Sequence, residues 1–310
     1  MGNQTEVTEF ILLGLSNDPQ MQSFLFLVFL VVYLITLLAN MMIMLVIMAD
    51  RHLHTPMYFF LSHLSFVDIC YSSAIVPKML VHFLSEHKTI SVNSCIAQMF
   101  FFFLLAATEI CILSAMAYDR YAAICDPLRY VDTMSIGICV QLVSGAWAIG
   151  FTDALFNTVF ALKLHFCGPN QINHFSCELP PLLQLSCTET LTNQVVLLTS
   201  VVILGSSTFL LTLISYIHII CTILRIRSAE GRHKAFSTCS SHLIVVGLLY
   251  LTAFFQYTKP SSVSSVVLDK MFSIQYSILT PMLNPIIYSL KNKEVKIAVG
   301  KMLQKFKCLK

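Results

Sequence analysis

The stretch M-A-Y-D-R-Y-A-A-I-C-D-P-L-R-Y, residues 116–130, decides how the rest of the chain is interpreted. It follows an apolar run, residues 89–108, that contains no Asp, Glu, Lys or Arg. The adjacent acid and base, Asp119 and Arg120, therefore stand where a membrane helix would emerge. A charge pair there is costly unless it meets water, a partner protein or its own opposite charge. The pair is either a simple anchor at the membrane end or part of a signalling contact, and the spacing alone leaves both open.

The composition excludes an ordinary soluble protein. The chain of 310 residues is 56% hydrophobic and only 11% charged, whereas soluble proteins carry about 25% charged residues. Apolar stretches of about 18 residues or more are typical of membrane helices. Six such stretches are free of charge, and a seventh carries only Asp68 and Lys78. The seven stretches are residues 19–49, 56–80, 89–108, 133–152, 190–224, 235–258 and 271–290.

These stretches predict an all-α membrane protein, a bundle of seven transmembrane helices. We expect a tail at 1–23, a membrane domain at 24–290 and a second tail at 291–310. Pro281 and Pro285 are expected to break the seventh helix because proline removes a backbone donor. The predicted helices cover residues 24–48, 56–80, 94–121, 135–156, 193–224, 234–257 and 269–290.

The distribution of positive charge predicts the orientation. With the N-terminus outside, fourteen of the nineteen Lys and Arg residues fall on the inner side, as the positive-inside rule requires. A sequon, Asn3-Gln4-Thr5, then lies on the outer tail and marks Asn3 as a glycosylation site. Residues 1–20 carry no Lys or Arg, so we expect the first span, rather than a cleaved leader, to direct membrane insertion.

The last residues predict a short amphipathic helix at the inner membrane surface. Apolar residues recur there at helical spacing and lysines occupy the other positions, a pattern typical of helices that lie on a lipid leaflet. A disordered basic tail is the alternative, because Gly300 weakens a helix. The apolar positions are Val295, Ala298, Val299, Met302, Leu303 and Phe306.

Four cysteines fall on the predicted outer side: Cys95, Cys167, Cys177 and Cys187. An even number in an oxidising compartment indicates two disulfides, for which three pairings exist. His174 and Glu178 lie near Cys177 and suggest a metal site as an alternative. A disulfide would remove the thiolate that a metal needs, so we favour the disulfides.

Two acidic residues are predicted at matching depth within the membrane. Asp68 lies about 18 Å of helix rise from Pro56, and Glu109 lies about 16 Å from Arg120. Two ionised carboxylates close together in apolar surroundings are untenable. Either one keeps its proton or a cation lies between them, and two separate polar pockets are a third interpretation. Asn40 and Asn284 are predicted near the same layer.

Several motifs together resemble olfactory receptors of the tetrapod type (class II), which belong to the rhodopsin-like G-protein-coupled receptors. The resemblance covers essentially the whole chain. Its departures, at Ala39, Ala122–Ala123 and Leu251, remove no polar motif residue. The motifs are M-A-Y-D-R-Y-A-A-I-C-D-P-L at 116–128, L-H-T-P-M-Y-F-F-L-S at 53–62, S-Y at 215–216, K-A-F-S-T-C-S-S-H-L at 234–243 and P-M-L-N-P-I-I-Y-S-L at 281–290.

The resemblance implies roles for residues near the inner side. It makes Asp119–Arg120, with Tyr121, a lock that opens on activation, so that Arg120 meets the G protein. Its partners within the bundle would be Tyr216, His242 and Tyr288.

The resemblance also implies two disulfides, a cation site and a set of partners. It pairs Cys95 with Cys177 and Cys167 with Cys187. It places a sodium ion on Asp68 and Glu109 in the resting state, with no other cofactor. It implies a plasma-membrane receptor, not an enzyme, whose partners are a small odorant, a stimulatory olfactory-type G protein and membrane lipid. No nucleic-acid partner is expected.

The expected ligand site lies in the outer half of the third, fifth and sixth spans. Residues there recur at helical spacing and are mostly apolar with a few hydroxyls, as small-ligand sites usually are. Ordinary helix packing is the alternative for each position. The predicted ligand-binding residues are Phe102, Phe103, Ala106, Ile110, Ser200, Leu204, Tyr250, Ala253 and Tyr257.

Two other classes of protein share some of these features. An ion-coupled transporter could use carboxylates within the membrane, but the seven spans lack the paired halves common in transporters. A membrane protease would need a nucleophile and a base that meet. Ser241 and His242 are adjacent and would point in different directions on a helix, and no G-x-S-x-G motif is present.

Overall fold

The chain folds as a bundle of seven helical spans, as the sequence predicts, followed by a short helix. The structure is a computed structural model and describes residues 7–258 and 266–308. The last span, α7, has three segments. The helices are α1 (Pro19–Ala49), α2 (Pro56–Leu84), α3 (Val92–Cys125), α4 (Ile136–Ala161), α5 (Leu191–Arg225), α6 (Ala229–Thr258), α7 (Val266–Ile274, Gln275–Leu279 and Thr280–Lys291) and α8 (Lys293–Cys308).

Length and hydropathy alone identify five of these helices as membrane spans within the described residues, namely α1 to α5. The sixth, α6, is added if its parts Ala229–Ser237 and Cys239–Thr252 count as one bent span. The segments of α7 are each too short to qualify, because a π-helical turn divides them. The seven-helix count therefore depends on treating α6 as one bent span and α7 as one interrupted span.

Several helices extend beyond the predicted limits because local capping and packing set their ends. The first helix begins at Pro19 rather than at residue 24, since the Asp18 side chain accepts a hydrogen bond from the Gln20 amide at 3.2 Å. The third begins at Val92, capped by Ser91, whose hydroxyl accepts from the Ser94 amide. The fourth reaches Ala161 rather than residue 156.

The predicted break in α7 is wrong in its position. The irregular turn is the π-helical segment Gln275–Leu279, which precedes both prolines. Pro281 lies in the first turn of the following segment, where its missing N–H costs nothing, and Pro285 is accommodated inside that segment.

A small sheet, which the sequence did not predict, closes one end of the bundle. The three strands are β1 (Glu9–Leu12), β2 (Thr89–Ser91) and β3 (Gln171–Ile172). β1 lies in the middle, antiparallel to β2 and parallel to β3. We call this end of the molecule the sheet end and the opposite end, which carries α8, the tail end.

The third helix is central, since it contacts α2, α4, α5 and α6. Its approach to α4 is closest at Gly150, where an added Cβ would collide with the Thr108 side chain and the Leu104 carbonyl. Large apolar side chains on the outward faces of α1 and α5 are exposed, among them Leu38 and Leu224. Outward apolar faces are what a bundle surrounded by lipid presents.

The tail helix α8 forms as predicted and packs through one face. Val295 and Ala298 are buried on that face. The hydroxyl of Tyr58 on α2 donates to Glu294 at 2.7 Å, and Lys301 lies 4.0 Å from the Asp50 carboxylate. The side chains of Leu303 and Phe306 lie outside the described part of the structure. The helix is therefore attached to the first two spans at the tail end.

Candidate functional site

The half of the bundle nearer the sheet end contains a cavity of about 240 Å³. The walls come from six spans and from the loop that joins α4 to α5. They are mostly apolar and aromatic. The lining residues are Tyr71, Phe102, Phe103, Ala106, Ala107, Glu109, Ile110, Asp153, Glu178, Leu179, Pro180, Leu197, Ser200, Val201, Leu204, Gly205, Leu249 and Tyr276.

Six of the nine predicted ligand-binding residues line this cavity. On α3 they are Phe102, Phe103, Ala106 and Ile110, and on α5 they are Ser200 and Leu204. The spacing predicted one shared face of α3, and the bundle turns that face towards α5.

The predicted residues on α6 are placed differently. Tyr250 does not line the cavity, because its ring packs edge-on against Phe209 of α5, with 5.2 Å between ring centroids. The helical rotation of α6 instead turns Leu249 towards the cavity. The side chains of Ala253 and Tyr257 lie outside the described residues.

Four polar or aromatic lining residues escaped the sequence prediction: Tyr71, Asp153, Glu178 and Tyr276. Asp153 had a usable signal, since it is the only charged residue between 136 and 161. The predicted fourth helix ends at residue 156, shortly after Asp153, whereas α4 continues to Ala161. The others depend on how a loop and α7 approach the bundle, which spacing does not show.

Disulfides fix the loop between α4 and α5 over the cavity. One joins Cys95 of α3 to Cys177, and the other joins Cys167 to Cys187 within the loop. The Gln98 side chain reinforces the first, because its carbonyl oxygen accepts from the Cys177 amide at 2.9 Å. The amide nitrogen of Gln98 donates to the Ala74 carbonyl of α2, also at 2.9 Å. The loop is thus held to α2 and α3.

Glu178 ties the same loop to α7. Its carboxylate accepts hydrogen bonds from Ser273 and from the hydroxyl of Tyr276, the latter at 2.8 Å. His174 lies 3.9 Å away and is buried. Burial lowers the pKa of His174, and the nearby Glu178 charge opposes that shift only in part. No cluster of three metal-ligating side chains occurs within 7–258 and 266–308.

The two membrane carboxylates of the predicted polar layer meet on one amide. The Asn284 side chain donates to both oxygens of Asp68 at 3.1 Å and lies 3.4 Å from an oxygen of Glu109. All three residues are buried. Asn40 does not join them, because its amide donates to the carbonyls of Thr36 and Pro281.

At the tail end of α3, Asp119 forms a closed set of polar contacts. Arg120 donates from Nη2 and Nε to one Asp119 oxygen, at 3.0 and 3.2 Å. Tyr130 donates to the other oxygen at 2.7 Å. Asp119 has no exposed surface, and Arg120 is partly exposed. The ring of Tyr121 packs against His218 of α5, with 5.6 Å between centroids.

Tyr216 and His242 form a separate pair between α5 and α6. The Tyr216 hydroxyl lies 2.6 Å from Nδ1 of His242, and Nε2 of the same ring lies 2.9 Å from the Leu113 carbonyl. A carbonyl can only accept, so Nε2 carries the proton and, in the neutral ring, Nδ1 accepts from Tyr216. Among the described residues, the hydroxyl of the buried Tyr288 has no hydrogen-bond partner.

This architecture defines a class. The crystal structure of squid rhodopsin superimposes with a TM-score of 0.70 over 93% of this chain and 87% of that one. Since the two are only 16% identical, the likeness shows the fold, that of the rhodopsin-like seven-helix receptors.

The sequence comparisons then show the family. A family model described as olfactory receptor matches residues 29–306. The chain is 53% identical to human olfactory receptor 5A1 over 98% of this chain and 97% of that protein. It is 51% identical to mouse olfactory receptor 5G9 over the same shares. The chain therefore belongs to the olfactory receptor family, and is a multi-pass membrane receptor rather than an enzyme. This family implies an odorant ligand and a G-protein partner.

Proposed function

We propose that this receptor binds small, mostly apolar volatile molecules in the cavity near the sheet end. We further propose that binding activates a stimulatory, olfactory-type G protein and raises cAMP. The observation that carries the proposal is the position of the cavity. It lies between α3, α5 and α7. These helices also carry the polar residues of the tail end, and two of them carry Glu109 and Asn284, which together with Asp68 we call the middle layer. A ligand there contacts elements that reach the G-protein side.

The size of the cavity sets the scale of affinity. A volume of about 240 Å³ holds about eight heavy atoms, if each needs about the 30 Å³ of a water molecule. At about −0.7 kcal/mol per atom, the binding free energy is about −5.6 kcal/mol, which corresponds to a Kd of about 0.1 mM. Such weak binding suits a receptor that must release its ligand quickly.

The tail-end contacts support a lock on the G-protein side. In this conformation both oxygens of Asp119 are occupied, one by Arg120 and one by Tyr130. Release of the Arg120 guanidinium would expose a cation at the surface where a G protein docks. A ligand favours that release only if it binds the released state more tightly than the locked one. The proposed alternative surroundings for Arg120 are Tyr216, His242 and Tyr288, whose hydroxyl has no hydrogen-bond partner in the described part of the chain.

The contacts of the middle layer support the proposal that a sodium ion binds there in the resting state. Two carboxylates share one neutral amide, Asn284, and the described contacts supply no cation between Asp68 and Glu109. A sodium ion held by these oxygens would offset their repulsion. A single proton on either carboxylate is the competing explanation.

The charge distribution supports the proposal that the sheet end lies outside. Fourteen of nineteen Lys and Arg residues then lie inside, and both disulfides face the oxidising side. We expect the plasma membrane as the location and its inner lipid as a partner of α8. The proposed glycosylation site Asn3 lies outside the described residues.

The test is a cAMP measurement in cells that express the receptor, during a screen of volatile compounds. Ala106→Phe should fill the cavity and lower the potency of an active compound at least about tenfold. Ala148→Phe, on the exposed face of α4, adds the same side chain outside the cavity and should leave potency unchanged. Silence towards every volatile at normal surface expression would contradict the function. Equal effects of the two variants would contradict the proposed site.

A further inference from the structure

The polar edge of the cavity contains a carboxylate–hydroxyl pair, and the proposed function gives its carboxylate no role. Asp153 is the only charged residue of α4, and its carboxylate accepts a hydrogen bond from the Ser200 hydroxyl of α5. The Asn157 amide donates to the same oxygen at 3.2 Å. Both donors are neutral, and no ion pair among the described residues includes Asp153. A carboxylate within a membrane span therefore faces the cavity without a protein cation.

Two of the hydroxyl groups that line the cavity donate to carboxylates rather than to a ligand. Ser200 donates to Asp153, and Tyr276 donates to Glu178. Two of the three lining hydroxyls thus offer a ligand their lone pairs, and the lining carboxylates also accept. The described lining includes no Lys, Arg or His. The polar groups that a ligand meets are therefore mainly acceptors and carry negative charge.

The aromatic side of the same cavity also suits a cation. Phe102 lies in edge contact with Tyr71 and with Tyr276, with 5.7 Å between centroids in both pairs. All three rings line the cavity, and Phe103 adds a fourth. The faces of aromatic rings attract ammonium groups, and sites that recognise such groups commonly combine several rings. This observation is independent of the carboxylates and indicates the same ligand chemistry.

We infer that the cavity selects small primary amines, with Asp153 as the residue that determines this specificity. The ammonium group would donate to the Asp153 carboxylate beside Ser200, and the alkyl or aryl part would occupy the apolar wall. Alcohols would bind less well, since their hydrogen bond lacks the charge. A carboxylate ligand would be repelled. This inference rests on the proposed location of the ligand site.

The test compares four probes of equal size in the cAMP assay: heptylamine, heptanol, heptanal and hexanoic acid. Each has about the number of heavy atoms that the cavity accommodates. We expect potency to fall in that order, with hexanoic acid inactive. Asp153→Asn should lower the potency of heptylamine about tenfold to a hundredfold, the range of a charge-assisted hydrogen bond. The potency of heptanol should change less than about threefold.

Two further variants make the test specific. Glu189→Gln removes an exposed carboxylate of the same loop region outside the cavity, and it should leave the order of potencies unchanged. Asp153→Glu keeps the carboxylate on a side chain that is one methylene longer, so the preference for the amine should persist. The order of the four probes on the wild-type receptor covers the case in which Asp153→Asn fails to reach the cell surface.

The wild-type receptor alone can overturn the inference. If heptanol, heptanal or hexanoic acid matches or exceeds heptylamine, the acceptor-lined cavity does not select amines, and the proposed receptor function stands. A response to other volatiles with none to heptylamine would overturn the inference in the same way. If the surface-expressed receptor responds to no volatile, the inference fails together with the proposed function.

Discussion

Asp119 and Asp153 are two carboxylates at opposite ends of the bundle, and they are satisfied in different ways. Asp119 is fully buried and accepts from a guanidinium and a tyrosine, so its charge is neutralised within the protein. Among the described residues, Asp153 accepts only from neutral side chains, and it borders a cavity. A carboxylate with its own cation suits a switch between two internal arrangements. A carboxylate without one suits a site that an external cation completes.

The change with the largest expected effect on this comparison is removal of Arg120, the cation that neutralises Asp119 at the tail end. We expect Arg120→Ala to abolish ligand-dependent cAMP, because no other described cation contacts Asp119. Surface expression should remain near normal. Arg129→Ala is the matched control, an exposed arginine of the same region, and it should retain signalling. Full signalling by Arg120→Ala would end the assignment of a lock.

At the sheet end, the comparison can be tested by removing the disulfide between Cys95 and Cys177. This bridge closes a long segment of sequence separation 82, and loss of such a cross-link costs about 4 kcal/mol in the chain-entropy account. Cys95→Ser should therefore strongly reduce delivery to the cell surface, measured by antibody labelling of intact cells. Cys221→Ser, an exposed free cysteine of α5, should have little effect. Normal delivery of Cys95→Ser, or free thiols at Cys95 and Cys177 in non-reduced peptides, would contradict the prediction.

The middle layer lies between the two ends and provides a third case, in which either a sodium ion or a proton balances the carboxylates. If sodium binds Asp68 and Glu109, it favours the resting state by linkage. Replacement of external sodium by a bulky organic cation should then raise basal cAMP several-fold, and Glu109→Gln should blunt that response. Asp50→Asn changes a carboxylate outside the layer and should retain it. Unchanged basal activity and ligand potency after replacement would instead favour a shared proton.

The smallest expected effect concerns His174, a buried residue of the loop between α4 and α5. Its pKa lies below the ordinary 6.5 because burial disfavours the charged ring. The unfolded chain then binds the proton more readily, so the loop loses stability as pH falls below about 6.5 and regains it above. The protection of the loop amides, measured as hydrogen exchange relative to the intrinsic exchange rate at each pH, should be lower at pH 5.5 than at 7.5, by less than about tenfold. His174→Gln should lose this dependence, whereas His165→Gln should keep it. An equal pH response in the His174 variant would contradict the prediction.

The sequence predicted the features that depend only on the helical period and on the rise per residue within a single helix. The shared depth of Asp68 and Glu109 followed from a fixed rise per residue, and Asn284 now joins them. The common face of Phe102, Ala106 and Ile110 followed from helical spacing. Both properties belong to one helix at a time and need no knowledge of its neighbours.

What the sequence missed depends on how elements approach each other. Tyr250 shows this, since the rotation of α6 turned its ring towards Phe209 of α5 rather than into the cavity. The sheet needs three segments distant in sequence to meet. From the residues alone, the cysteine pairing had three solutions, and only the resemblance to a family selected one.

The π-helical segment of α7 makes the length of that helix functionally critical. It separates Ser273, which donates to Glu178 of the loop, from Asn284, which bridges the membrane carboxylates. A one-residue deletion between them would rotate one contact relative to the other by about 100°. Substitutions in this segment should have graded effects. An insertion or deletion here would misalign one of the two connections completely. Length variation should accordingly be confined to the loops and tails, and a chimaera joined within this segment should keep the residue count of both parents.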